Sequence, residues 1–182
     1  MFTSLANKLT LSRILAIPAI LILLVLPQAW AAWLAVVLFS MAGITDWLDG
    51  FLARRYGEVS RIGQFLDPIA DKLLVAAVLL MLVNNGQIRG LSVLPAVIIL
   101  LREVAVSGLR EFLAGLQVSV PVTMLAKWKT TIQLLALGFL IVGHHAPSFL
   151  PAEVIGDILL WVAGVLTVIT GYDYWRASLK HF

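Results

Sequence analysis

The chain has no cysteine, which excludes a disulfide framework, a thiolate metal site and a thiol nucleophile. Charge is also scarce. Asp, Glu, Lys and Arg make up 13% of residues, against about 25% in an average water-soluble domain. No basic run with interleaved aromatics is present, so nothing points to nucleic acid as a partner. Low-complexity tracts, flexible linkers and convincing repeats are missing too. What is present is apolar: 61% of the 182 residues are hydrophobic, and mean hydropathy is +1.00. That composition predicts one integral membrane domain spanning 1–182.

Lys8 and Arg13 precede an apolar stretch over 14–26, and Ala29-Trp30-Ala31 resembles a small-residue cleavage site. A secretory signal has that pattern. Further apolar segments follow at once, so a first transmembrane helix is the simpler reading. The sequence predicts an all-α membrane protein with six spans, centred on 13–26, 30–54, 63–83, 91–112, 122–143 and 154–175. Breaks fall at Pro27-Gln28, at Asn84-Asn85-Gly86, and from His144 through Pro151. Pro18 and Pro95 lie within apolar segments, where membrane helices tolerate kinks.

Basic residues set the expected orientation. Lys8, Arg13, Arg54, Arg55, Arg61, Arg176 and Lys180 fall on one side, and the opposite loops hold only Arg89. The positive-inside rule puts both termini and the 54–63 loop in the cytoplasm. The polar ends of the second to fifth helices then share that side. They predict a cytoplasm-facing cavity sealed toward the other face, with the acidic site between helices 2 and 3.

Four aspartates dominate the polar residues. Asp46, Asp49, Gly50 and Ala53 are spaced i, i+3, i+4 and i+7, one narrow helical stripe. Gly63, Asp67 and Asp71 repeat every fourth residue on the next helix. Like charges 4 Å apart repel by roughly 4 kcal/mol at an effective dielectric of 20. Divalent cations remove that penalty, and all-oxygen donors suit magnesium, manganese or calcium rather than zinc. Two such ions are a standard device for phosphoryl chemistry. The plainer alternatives are ion pairs with Arg54, Arg55 or Lys72 for the acids, and close helix packing for the glycines.

The pattern Asp46-x-x-Asp49-Gly50-x-x-Ala53-Arg54, then Gly63-x-x-x-Asp67-x-x-x-Asp71, resembles the signature of the CDP-alcohol phosphatidyltransferases. The six-helix layout resembles that family as well. The resemblance implies transfer of a phosphatidyl group from a CDP-linked lipid to an alcohol, with release of CMP and use of two divalent metals, magnesium or manganese. It implies that Asp46, Asp49, Asp67 and Asp71 ligate the metals, and that Asp71 is also the general base. It places Gly50, Ala53 and Gly63 along the cytidine nucleotide, with Arg54 near its phosphates. It further implies a homodimer, for which the small-residue face Gly156, Ala163, Gly164 and Gly171 offers a surface.

Outside the signature, three further segments resemble the phosphatidylglycerophosphate synthase branch of the family, whose acceptor is glycerol 3-phosphate and whose donor is CDP-diacylglycerol. They are Asn7-x-x-Thr10-x-x-Arg13, Arg102-Glu103 through Leu109-Arg110-Glu111, and Lys127-Trp128-Lys129-Thr130. A phosphate-bearing acceptor needs cations, and Arg102, Arg110, Lys127 and Lys129 lie near the cytoplasmic ends of the fourth and fifth helices. Arg110 and Lys129 also suit an interfacial role, and Thr10 and Arg13 suit a helix start. The expected setting is the bacterial inner membrane. The rival readings are a relative using inositol phosphate, serine or phosphatidylglycerol, and a cation transporter. His144 and His145 are read as solvated loop residues, and Met41, Met81 and Met124 as packing residues.

Overall fold

A computed structural model describes residues 5–56, 61–118 and 123–179, with residues 5–11, 46–56, 61–68 and 71 given by their helical backbone alone. Six long helices account for nearly all of it: α1 (Leu5–Val25), α2 (Ala29–Tyr56), α3 (Arg61–Asn84), α4 (Val93–Gly115), α5 (Met124–Val142) and α6 (Ala152–Ser178). Short 3-10 turns precede α4 and follow α5. Among the described residues, three helical stretches are long and apolar enough to cross a membrane: Gly90–Gly115, Met124–His145 and Ala152–Ser178. The other three helices contribute the shorter apolar stretches Ser12–Val25, Ala29–Thr45 and Lys72–Asn84.

Local chemistry explains the boundaries. Thr123 caps α5, its hydroxyl accepting from the Ala126 amide at 3.3 Å. α3 ends where Gly86 takes positive φ, with the Gln87 amide returning to Leu82 O at 3.0 Å. Gly143 closes α5 at φ 49 and ψ −128, a conformation a side chain would resist. Pro95 does not interrupt α4. It sits in the first turn, where its missing N–H costs no helical hydrogen bond.

The helices pack as two sets. α1 lies against α2 and α3, and α6 lies against α5 and α4. Contacts of α2 and α3 with α5, and of α3 with α4, join the sets. The core is aliphatic and rich in alanine, running through Ile20, Ala35, Phe39, Val78, Leu82, Ile99, Leu137 and Leu160. Large apolar side chains also cover the outside, including Leu15, Trp33, Leu80, Leu101, Leu135 and Val165. Such an exterior suits lipid rather than water. Met41 and Met124 belong to this exposed surface, and only Met81 packs against the core.

The small residues of α6 have a different use from the one the sequence suggests. A Cβ on Gly156 would lie 2.7 Å from Leu140 Cγ of α5, and one on Gly164 would lie 2.7 Å from Pro95 Cβ of α4. Ala163 is buried, and Gly171 faces the Arg102 stem. The stripe is spent inside the chain, letting α4 and α5 approach α6 closely, so it is no surface for a second copy.

Candidate active site

The backbone carries Asp46, Asp49, Gly50, Ala53 and Arg54 on unbroken α2, and Gly63, Asp67 and Asp71 on unbroken α3. Their side chains lie outside the described residues, as does that of Thr10 on α1. The helical register keeps each acidic pair within about one turn, three residues apart on α2 and four on α3. Just before the first pair, the Thr45 hydroxyl lies 2.9 Å from Met41 O and 2.9 Å from Ala42 O. Among the described residues, no group of three or more His, Asp or Glu could hold a metal ion.

A second polar cluster forms where α4, α5 and α6 meet. Lys129 of α5 is 2% exposed. Its ammonium donates to Glu103 Oε1 of α4. Arg102 Nη1 reaches the same carboxylate oxygen at 3.4 Å, and Arg102 Nη2 lies 3.4 Å from Thr170 Oγ1 of α6. The Thr170 hydroxyl also binds Leu166 O at 2.8 Å. A Cβ on Gly171 would stand 3.2 Å from Arg102 Cγ, so the arginine stem lies against bare α6 backbone. Lys72, the residue after Asp71, lies within electrostatic reach of Glu103.

Electrostatics makes this arrangement necessary. A lysine this deep needs a partner, and losing one half of a buried pair costs about 3–5 kcal/mol. One turn further along α5, Gln133 is 2% exposed and its Oε1 has no partner. Thr167, one turn before Thr170 on α6, is fully buried with its Oγ1 likewise unpartnered.

The other proposed acceptor residues scatter. Arg13 is buried in α1, 1% exposed, and engaged by the protein. Arg110 is exposed, with its guanidinium carbon 5.6 Å from the Tyr174 ring centre, a cation–π contact between α4 and α6. Lys127 is exposed while Lys129 is buried. Two residues turn a helix by about 200°, so these lysines face nearly opposite ways and cannot serve one small ligand together. Sequence reasoning named Arg102 and Lys129 but missed Glu103 as the group that joins them. The sign to look for was a lone acid among cations inside an apolar segment.

The opposite end of the bundle holds a cavity of about 250 Å³ lined by Leu24, Asn85, Gln87, Ile141 and His145, among others. The Asn85 amide donates to Leu24 O at 2.7 Å and that of Gln87 to Ile141 O at 3.4 Å, so these side chains cap the ends of α1 and α5. The His144 and His145 rings sit 4.0 Å apart, and His144 Nδ1 is 3.7 Å from Glu153.

Comparison with known proteins agrees with the signature. The CDP-alcohol phosphatidyltransferase family model matches residues 3–169. A Rickettsia bellii protein named CDP-diacylglycerol–glycerol-3-phosphate 3-phosphatidyltransferase is 46% identical over 179 residues, 98% of this chain and 97% of its own. The Bacillus subtilis protein of that name is 40% identical over 187 residues, covering 96% of this chain and 95% of its own. The one from Cereibacter sphaeroides is 36% identical over 215 residues, covering 98% and 96%. The chain belongs to the CDP-alcohol phosphatidyltransferase family.

Proposed function

We propose that this protein transfers the phosphatidyl group of CDP-diacylglycerol to sn-glycerol 3-phosphate, giving phosphatidylglycerophosphate and CMP. The observation that carries the reading is the complete Asp46-to-Asp71 pattern, in a chain that matches transferases of that name along nearly its whole length. The acceptor is supported by the Arg102–Glu103–Lys129 cluster, partly exposed at Arg102 and Glu103 and buried at Lys129. Serine as acceptor would bring no phosphate for these cations to bind.

The donor set of the signature is four carboxylates and nothing softer, which fits hard divalent cations. Two magnesium or manganese ions held by Asp46, Asp49, Asp67 and Asp71 would neutralise the diphosphate and the leaving CMP. Asp71 takes the proton of the acceptor hydroxyl as that oxygen bonds to the phosphatidyl phosphorus and CMP departs. Gly50 and Gly63, bare of side chains, and Ala53 leave room for the cytidine nucleotide, and Arg54 faces its phosphates. Arg102 and Lys129 serve the acceptor phosphate; for Thr10, Arg13 and Arg110 only the resemblance suggests that role. Lys127 is better suited to the membrane interface.

In this reading all six helices span the inner membrane, with both termini and the aspartates on the cytoplasmic side. The basic 54–63 loop supports that orientation. The lipid tails stay in the bilayer while the head group reaches the aspartates. A homodimer, if formed, uses a face other than the α6 small-residue stripe.

The test is CMP release by purified protein in detergent with CDP-diacylglycerol and magnesium. Release that requires glycerol 3-phosphate is the expected result. Release only with inositol phosphate, serine or phosphatidylglycerol would keep the mechanism and change the acceptor. No release with any alcohol or metal, from folded protein, would return the acids to transport or structure.

A further inference from the structure

We propose that Glu103 is a positioning residue for the acceptor phosphate: it holds the heads of Lys129 and Arg102 side by side and thereby sets the affinity for glycerol 3-phosphate. The proposal rests on the function given above.

The geometry has three parts. First, one oxygen of Glu103 takes both cations, from α5 and from its own helix. Without that carboxylate the two positive heads would repel in a region of low dielectric and separate. Second, the guanidinium is fixed from the far side as well, by the Thr170 hydroxyl and by the close passage of Gly171. Its freedom is removed before any ligand arrives, the condition for a tight anion site. Third, the buried Arg102 Nε has no partner. A guanidinium with an unused N–H calls for an anion.

An opposite effect is conceivable. Removing Glu103 adds one positive charge, which by itself attracts phosphate. Position outweighs this because Glu103 Oε1 is the atom that holds the Lys129 and Arg102 heads side by side.

The test compares wild type, Glu103→Gln and Glu103→Asp as full-length protein in mixed micelles, varying glycerol 3-phosphate and CDP-diacylglycerol separately. Glu103→Gln is expected to raise KM for glycerol 3-phosphate about tenfold or more. KM for CDP-diacylglycerol should stay within about twofold, since uniform damage alone would move both. Glu103→Asp keeps the charge and should recover part of the loss. An unchanged or lowered acceptor KM, or a parallel rise in both KM values, overturns the proposal. If Glu103→Gln fails to fold, Thr170→Val removes the second hold on Arg102 and must raise acceptor KM severalfold with the donor KM unmoved. Stabilisation of the protein against heat by glycerol 3-phosphate, read without donor, separates the two claims. Wild type that releases no CMP ends the functional reading. A half-effect concentration equal in wild type and Glu103→Gln ends the role of Glu103.

Discussion

The α2–α3 segments and the α4–α6 junction handle charge in opposite ways. Between Asp46 and Asp71 the sequence sets four carboxylates on two helical stripes, with no cation within the stripes. At the junction, one carboxylate stands between two cations, and a hydroxyl and a bare glycine hold the outer one. Under the proposed function the repulsion in the first is relieved by incoming divalent cations. In the second, the acid and the cations hold one another in place. A transferase that joins a metal-bound diphosphate to a phosphate-bearing alcohol needs both kinds of site. Under the proposed function the first serves the diphosphate and the second the acceptor.

The sharpest way to break this comparison is Asp67→Asn in the presence and absence of a metal chelator. With magnesium, CMP release should fall by on the order of a hundredfold or more. In chelator, where the proposed reaction should stop, the same substitution should raise the unfolding temperature, because it removes one of four like charges. Glu103→Gln should lower the unfolding temperature under both conditions, since it removes the carboxylate that joins Lys129 to Arg102. Two substitutions of acid by amide would then shift stability in opposite directions. If Asp67→Asn destabilises the metal-free protein, the acids are paired within the chain and the contrast fails.

Much of this was legible in the sequence. Span centres read from hydropathy lie inside the observed helices, because glycine and proline punctuation, such as Asn84-Asn85-Gly86, has a local physical cause. The aspartate register was legible for the same reason: spacings of three and four on a helix are local facts. What could not be read was the partnership of distant residues. Glu103 and Lys129 are 26 positions apart, and only the packing of α4 against its neighbours makes them meet. The α6 glycines show the same limit. Small residues at helical spacing announce a close approach but not to what, and here it is Leu140 and Pro95 of the same chain. Pro95 read as a kink because the sequence alone does not reveal that α4 begins at Val93.

That close approach offers a second, smaller test, on one helix. A methyl on Gly164 would meet Pro95 at 2.7 Å from its Cβ and 3.3 Å from its Cα, which is backbone and cannot swing aside. Gly164→Ala should therefore cost about 1–3 kcal/mol of stability by overpacking. Gly171→Ala meets the flexible Arg102 stem at 3.2 Å, so a small shift of the side chain absorbs it. It should leave the unfolding temperature nearly unchanged and raise KM for glycerol 3-phosphate a few-fold, by moving the guanidinium away from Thr170. Thermal unfolding and acceptor kinetics on the two variants separate the packing use of the α6 stripe from its positioning use. Equal loss of stability in both would mean that Gly171, too, is only a packing residue.

The smallest effect tests the comparison within a single helix turn. Lys127 and Lys129 carry the same charge two residues apart, yet one is exposed and the other is sealed against Glu103. Surface charges contribute little, typically below about 1 kcal/mol. Lys127→Ala should leave CMP release, acceptor KM and unfolding temperature within about twofold and a degree or two of wild type. Lys129→Ala should raise acceptor KM strongly and lower stability, because it leaves the Glu103 carboxylate without its main partner. An acceptor KM that rises equally for both lysines would mean that net charge at this end of the bundle, rather than a built cluster, recruits the acceptor. In that case the effect should disappear at high salt, where exposed charges are screened over about a Debye length. A loss confined to Lys129 and insensitive to salt is the result a built site requires.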